Sequence, residues 1–255
     1  CYGSLSQMSP FFTIEDICIG LKKLKIEKCS FDCKQVEFIG YVISSEGIFM
    51  DPTKVRMVLE WHIQRSMRDV QCFVGFVNFY RKFIQDYSKL ILPLIQLTKK
   101  GQSFVWIVEA DFAFGIQESI YITHILVHVN PQKPFIVEAD TSDFALGSIL
   151  AQQGDDEKVH LVAFHSHKFD AGLINYEVHD KELIAIMDSF AQWRHFLEGS
   201  PHQVIVFSDH ERLAYLQNAR VLNRRQAWWA QFLTHFGFKI TFSPGKQQGK
   251  ADALS

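Results

Sequence analysis

Two periods of apolar and polar residues run along this 255-residue chain, and the change from one to the other divides it. In residues 11–28, Ile14, Ile17, Leu21 and Leu24 stand at helical spacing and predict a helix. Residues 36–50 read as two short strands, Val36 to Val42 and Gly47 to Met50, turned at Ser44 to Gly47. Asp51-Pro52 starts a helix, with Pro at the first position, where its missing N–H costs nothing. Ser66 with Asp69 three residues on resembles a capping box. The helix it opens lines Val70, Phe73, Val74, Val77, Tyr80 and Ile84 on one stripe and leaves Arg81 and Lys82 off it. Lys99 to Gln102 closes this helical region, and residues 107–120 predict a weak helix interrupted by Gly115.

From residue 134 strands take over. Pro134 to Asp140 predicts one, Leu146 to Gln152 a second and His160 to Ser166 a third, the last two split by a turn at Gly154-Asp155-Asp156. A long helix is expected from about 175 to 197. The apolar run Val204 to Phe207 predicts a buried strand ending in Ser208-Asp209. Short helices are expected near 211–217 and 223–236, and a last strand at Phe238 to Phe242. This order is a mixed α/β layout, with no internal repeat.

Composition narrows the class. At 47% hydrophobic and 21% charged, with 14 Gly and 7 Pro, the chain is neither disordered, collagen-like nor a coiled coil. No apolar run approaches the ~20 residues of a membrane span, so a soluble chain is expected. It opens on Cys1-Tyr2-Gly3 without Met or a signal segment and so reads as a fragment or processed piece. Its 5 Cys all fall in the first third, an odd and one-sided set that suggests a reducing, intracellular compartment. Residues 1–105 hold 14 Lys and Arg against 10 Asp and Glu (+4), and residues 106–255 hold 12 against 18 (−6). A basic half joined to an acidic half fits two modules or ordinary surface variation.

Four carboxylates stand where carboxylates are costly. Asp140 and Asp209 end strands that read as central, where open α/β sheets bind ligands. Glu182 lies one step of four before Ile186, Phe190, Trp193 and Leu197, on the buried stripe of its helix. An unpaired carboxylate there costs several kcal/mol unless a cation compensates it, and no Lys or Arg shares the stripe. Asp252 lies just past the last strand, where a helix N-cap is the plain alternative. Together the four make an all-oxygen donor set that suits Mg²⁺ or Mn²⁺. Carboxylate clusters of this kind hold two ions about 3.5–4 Å apart for in-line phosphoryl transfer.

These residues sit in recognisable surroundings. Phe135 to Asp143, Asn175-Tyr176 with Lys181-Glu182-Leu183, Phe207 to His210 and Lys250 to Ser255 resemble the ribonuclease H domain of gypsy-type long-terminal-repeat retrotransposons, most of all the vertebrate sushi-like elements. Glu27 to Phe31, Val36 to Tyr41 and Phe73 to Ile84 resemble the end of a reverse-transcriptase palm and its thumb. The resemblance implies an RNase H-like mixed five-stranded sheet flanked by helices, preceded by a helical thumb and a short palm-end β-hairpin. Its divisions would be 1–50 (palm end), 51–105 (thumb), 106–133 (connection) and 134–255 (RNase H-like domain).

It also implies roles. Asp140, Glu182 and Asp209 would hold one ion, and Asp140 with Asp252 a second, for hydrolysis of the RNA strand of an RNA–DNA hybrid. The protein would read hybrid shape and 2′-hydroxyls rather than sequence. Asn78, Tyr80 and Arg81 would track the hybrid backbone, and Arg224 and Arg225, beside Trp228 and Trp229, would add a second binding face. The remainder of the Pol polyprotein would be a partner, and no membrane would be. The chain departs from the family in lacking the Tyr-X-Asp-Asp polymerase motif, in Trp61-His62 for Trp-Pro, in Gly115 and in His167 for Arg. Those departures keep a second reading open: an inactive, drifted or host-adopted nucleic-acid-binding remnant. His165 and His167 alternate on one strand side, as a metal pair or ordinary strand residues, and His210 could approach the Asp209 site.

Overall fold

The computed structural model describes residues 33–62, 66–99, 101, 104–117, 125–209 and 224–242. The chain divides into two compact units, residues 1–36 and 37–255, and apart from the first two residues of strand β1 the description below concerns the second. The helix expected within 11–28 and the one near 211–217 lie outside the described residues.

A small sheet comes first, with strands β1 (Gln35–Phe38), β2 (Tyr41–Ser44) and β3 (Ile48–Met50). The single strand expected over 36–42 is broken because Ile39 and Gly40 both take positive φ, 48° and 74°. A β-branched residue there is strained, and Gly follows because it reaches that region freely. The expected turn forms, with Ser44 N–H donating to Gly47 O at 2.9 Å. Helix α1 (Pro52–Leu59) starts where Asp51 accepts from Thr53 N–H at 2.8 Å. Helix α2 (Met67–Phe79) starts at Ser66, whose Oγ accepts from Asp69 N–H at 3.3 Å.

The α2 stripe buries Val70, Phe73 and Val77, and continues through Tyr80 and Ile84 although the α-helix stops at Phe79. Short helices α3 (Tyr87–Leu90), α4 (Leu92–Leu97) and α5 (Val108–Phe114) follow; Gly115 is the C-cap of α5 and helical residues resume at 116 and 117, so the expected interruption falls at this glycine. Phe73, Phe83, Ile84, Ile91, Leu94 and Leu126 are its fully buried centre.

The second part has strands β4 (Phe135–Thr141), β5 (Ala145–Gln153), β6 (Val159–Lys168), β7 (Val204–Ser208) and β8 (Phe238–Phe242). They form one mixed sheet in the order β6-β5-β4-β7-β8. Strands β4, β5 and β6 pair antiparallel, whereas β7 runs parallel to both β4 and β8. Between β6 and β7 lie α6 (Ala171–Ile174), α7 (Val178–Gln192) and α8 (Arg194–Leu197), and before β8 lies α9 (Arg224–Leu233). The single helix expected over 175–197 is thus two, broken at Trp193 with φ −104° and ψ 21°.

Phe135, Val137 and Ala139 of β4 share a core with Ala185, Ile186 and Phe190 of α7. On β6, Leu161 and Phe164 belong instead to the helical core, with Ile149 of β5 packed against it, so the two parts meet at this edge of the sheet. Among the described residues, none from 51–100 adds a strand to this sheet.

Candidate metal centre

Topology brings two strand ends to one level. Glu138 of β4 lies opposite Phe207 of β7 in the parallel register. Asp140 and Asp209 each stand two residues further on, so both emerge at the carboxyl edge of neighbouring strands. Helix α7 crosses this edge on the core side and lays Glu182 over it. Carboxylate oxygens of Asp140, Glu182 and Asp209 all lie within 4.8 Å of one another.

The environments differ. Glu182 is only 3% exposed, whereas Asp140 and Asp209 are open to solvent. Thr141 links two of the acids: its hydroxyl donates to Glu182 Oε1 at 2.5 Å and its N–H to Asp140 Oδ1 at 2.8 Å. Glu182 Oε2 is buried with no hydrogen-bond partner. Burial, with the charges of Asp209 and Asp140, pushes the Glu182 carboxyl up to about 7 against the Thr141 bond. Burial also raises Asp140; the Thr141 N–H opposes it, Asp209 and Asp86 add to it, and Lys89 opposes it.

An orphaned buried oxygen facing two further carboxylates fits a cation, and an all-oxygen set fits a hard divalent one. Among the described residues no other group of His, Cys, Asp and Glu converges in this way. His165 and His167 instead share one carboxylate, with Nε2 of His165 2.7 Å and Nδ1 of His167 3.2 Å from Asp188 Oδ2. Burial raises Asp188, but these two histidines outweigh it and hold the carboxyl below its ordinary value.

The other expected site residues fall elsewhere. Asp252 and His210 lie outside the described residues. Asn78 and Arg81 are exposed, on α2 and the turn after it. Tyr80 is a correction: it is buried, and its hydroxyl donates to Gly40 O at 3.0 Å, so it serves the core rather than a nucleic-acid surface. Arg224 is exposed on α9, and the backbone of Arg225 follows it in the same helix. Of the two tryptophans, Trp229 is buried and Trp228 is exposed.

Thr141 was overlooked by sequence reasoning, although alternation along β4 puts it on the same face as Val137 and Ala139, towards α7. Asp86 had no signal, because only packing brings it near.

Residues 130–236 match the RNase H-like domain found in reverse transcriptase. The chain is also 34% identical over 249 residues to the Tf2-3 and Tf2-4 transposon polyproteins of Schizosaccharomyces pombe, a match that takes in 95% of it. It spans 19% of the length of each of those relatives. Among solved structures, foamy viral protease-reverse transcriptase in complex with an RNA/DNA hybrid aligns with a TM-score of 0.68 at 17% identity, covering 91% of this chain and 34% of that one. The same viral protein with dsDNA gives 0.68 at 18% identity, covering 84% and 45%. At such identities the likeness establishes the fold, and the five-stranded sheet with its helices is RNase H-like.

Proposed function

We propose that the RNase H-like domain hydrolyses the RNA strand of RNA–DNA hybrids with divalent cations, as part of a retrotransposon polyprotein. One observation carries this reading: Asp140, Glu182 and Asp209 converge, with a buried Glu182 oxygen left without a partner. Asp140, Glu182 and Asp209 would hold one ion, and Asp140 with Asp252 a second, Mg²⁺ or Mn²⁺. Bound ions would activate a water and neutralise charge on the scissile phosphate. Thr141 fixes the Glu182 and Asp140 carboxylates before any ion arrives, which lowers the ordering cost of binding.

Exposed Arg224, with Arg225, Asn78 and Arg81, would supply phosphate contacts. The complex of foamy viral protease-reverse transcriptase with an RNA/DNA hybrid supports this substrate class. We further propose the divisions 1–50 as palm end, 51–105 as thumb and 106–133 as connection, and a gypsy-type source of the sushi-like kind. The Tf2 relatives support a transposon origin.

The test is cleavage of a labelled hybrid by the 255-residue chain, extended past Ser255, with Mg²⁺ or Mn²⁺. Cleavage that survives excess chelator, or Asp140→Asn, would overturn the metal reading. Hybrid binding by the folded wild type without any cleavage would leave an inactive binding remnant instead.

A further inference from the structure

Asp86 reaches the carboxylate crevice from the helical part. It precedes α3 in the left-handed region, φ 51° and ψ 28°, and its side chain makes no cap hydrogen bond to that helix. Its carboxylate lies instead over Gly147 of β5, where a side-chain carbon on Gly147 would collide with Oδ1. Gly147 is the ladder partner of Asp140. Directly opposed residues carry their Cβ atoms about 4.5–5.5 Å apart. A carboxylate filling the Cβ place of Gly147 therefore stands beside Asp140, on the same face of the sheet.

The segment is pinned there. Ser88 N–H donates to Ser166 Oγ of β6 at 2.9 Å, and Ser166 Oγ donates to Ser88 Oγ at 3.1 Å. The charge of Asp86 acts on Asp140, with Lys89 of the same short helix opposing it. A further acid set beside a crevice that already holds an unpartnered, buried Glu182 oxygen adds repulsion that a cation relieves.

We propose that Asp86 is a positioning residue of this site, ordering the water shell of a hydrated divalent cation held on the Asp140 side. The inference rests on the metal reading of the triad. Magnesium-like ions keep several of their waters when protein-bound, and an outer carboxylate is the group that orients them. Gly147 is part of the same device, because it alone leaves room for Asp86. Asn tolerates the left-handed backbone, so Asp86→Asn removes the charge and keeps the shape.

The experiment titrates the metal-free 255-residue chain with Mn²⁺, reading free ion by electron paramagnetic resonance, with circular dichroism to confirm folding. Asp86→Asn, and separately Gly147→Ala, should each weaken the weaker bound ion by about tenfold, the usual effect of losing an outer partner. A wild type that binds Mn²⁺ and an Asp86→Asn variant that binds it identically would overturn this inference alone. A folded wild type that binds no Mn²⁺ would overturn the metal reading, and this inference with it.

Discussion

Replacing Glu182 by Gln should make the metal-free protein more stable. The Glu182 side chain is buried, and its carboxyl is raised from 4.5 to about 7, first by burial and then by Asp209 and Asp140, against the Thr141 bond. A carboxyl raised in the folded state holds its proton more tightly there than in the unfolded chain. Stability therefore falls as pH rises from about 4.5 to about 7 and stays low above that window. The penalty works out at about 3 kcal/mol at pH 8 and about 1 kcal/mol at pH 5.

Gln keeps an oxygen for the Thr141 hydroxyl and offers an amide to the neighbouring carboxylates. The Glu182→Gln variant should thus gain about 3 kcal/mol at pH 8 in chelator, or roughly 6–12 °C in melting temperature for a unit of this size. Mg²⁺ should close most of this gap, since an ion at 100 times its Kd adds about 2.7 kcal/mol to a protein that binds it. Thermal unfolding at pH 5, 6.5 and 8, with chelator or Mg²⁺, measures this. Equal or lower melting of Glu182→Gln at pH 8 in chelator would refute the account of Glu182 as a penalised, buried carboxylate.

Four further outcomes follow from the same geometry. Asp140→Asn should reduce hybrid cleavage by roughly 1000-fold or more, about 4 kcal/mol of barrier, with an unchanged circular dichroism spectrum. Phe73→Ala empties a fully buried position between Trp61 and Phe114 and should cost about 3–5 kcal/mol in urea unfolding. Arg224→Ala should lower the salt dependence of hybrid binding by about one phosphate contact, whereas Trp228→Ala, at an exposed ring, should cost about 1–3 kcal/mol at every salt concentration if bases stack there.

Local pattern determined much of this protein. The helix starts at Asp51-Pro52 and Ser66 were legible because capping is a matter of a few adjacent residues. The strand Phe238–Phe242 was legible for a similar reason, being bounded by local pattern. The placement of Asp140 and Asp209 at strand ends was also readable, and so was Glu182 on a buried stripe, because helical and strand periods assign faces without knowing the partner.

Other features needed the tertiary structure. No local breaker in the sequence marks the break at Trp193, and Gly40 alone hinted at the turn it forms with Ile39. Tyr80 shares the stripe of Val70 and Val77, yet whether its hydroxyl met solvent or Gly40 depended on a contact 40 residues away. The 4.8 Å convergence of three acids needed the sheet order to set β4 beside β7. The approach of Asp86 to Gly147 spans two parts of the fold, and no periodicity within either one encodes it. Faces follow from neighbours in sequence, whereas distances between faces follow from how layers stack.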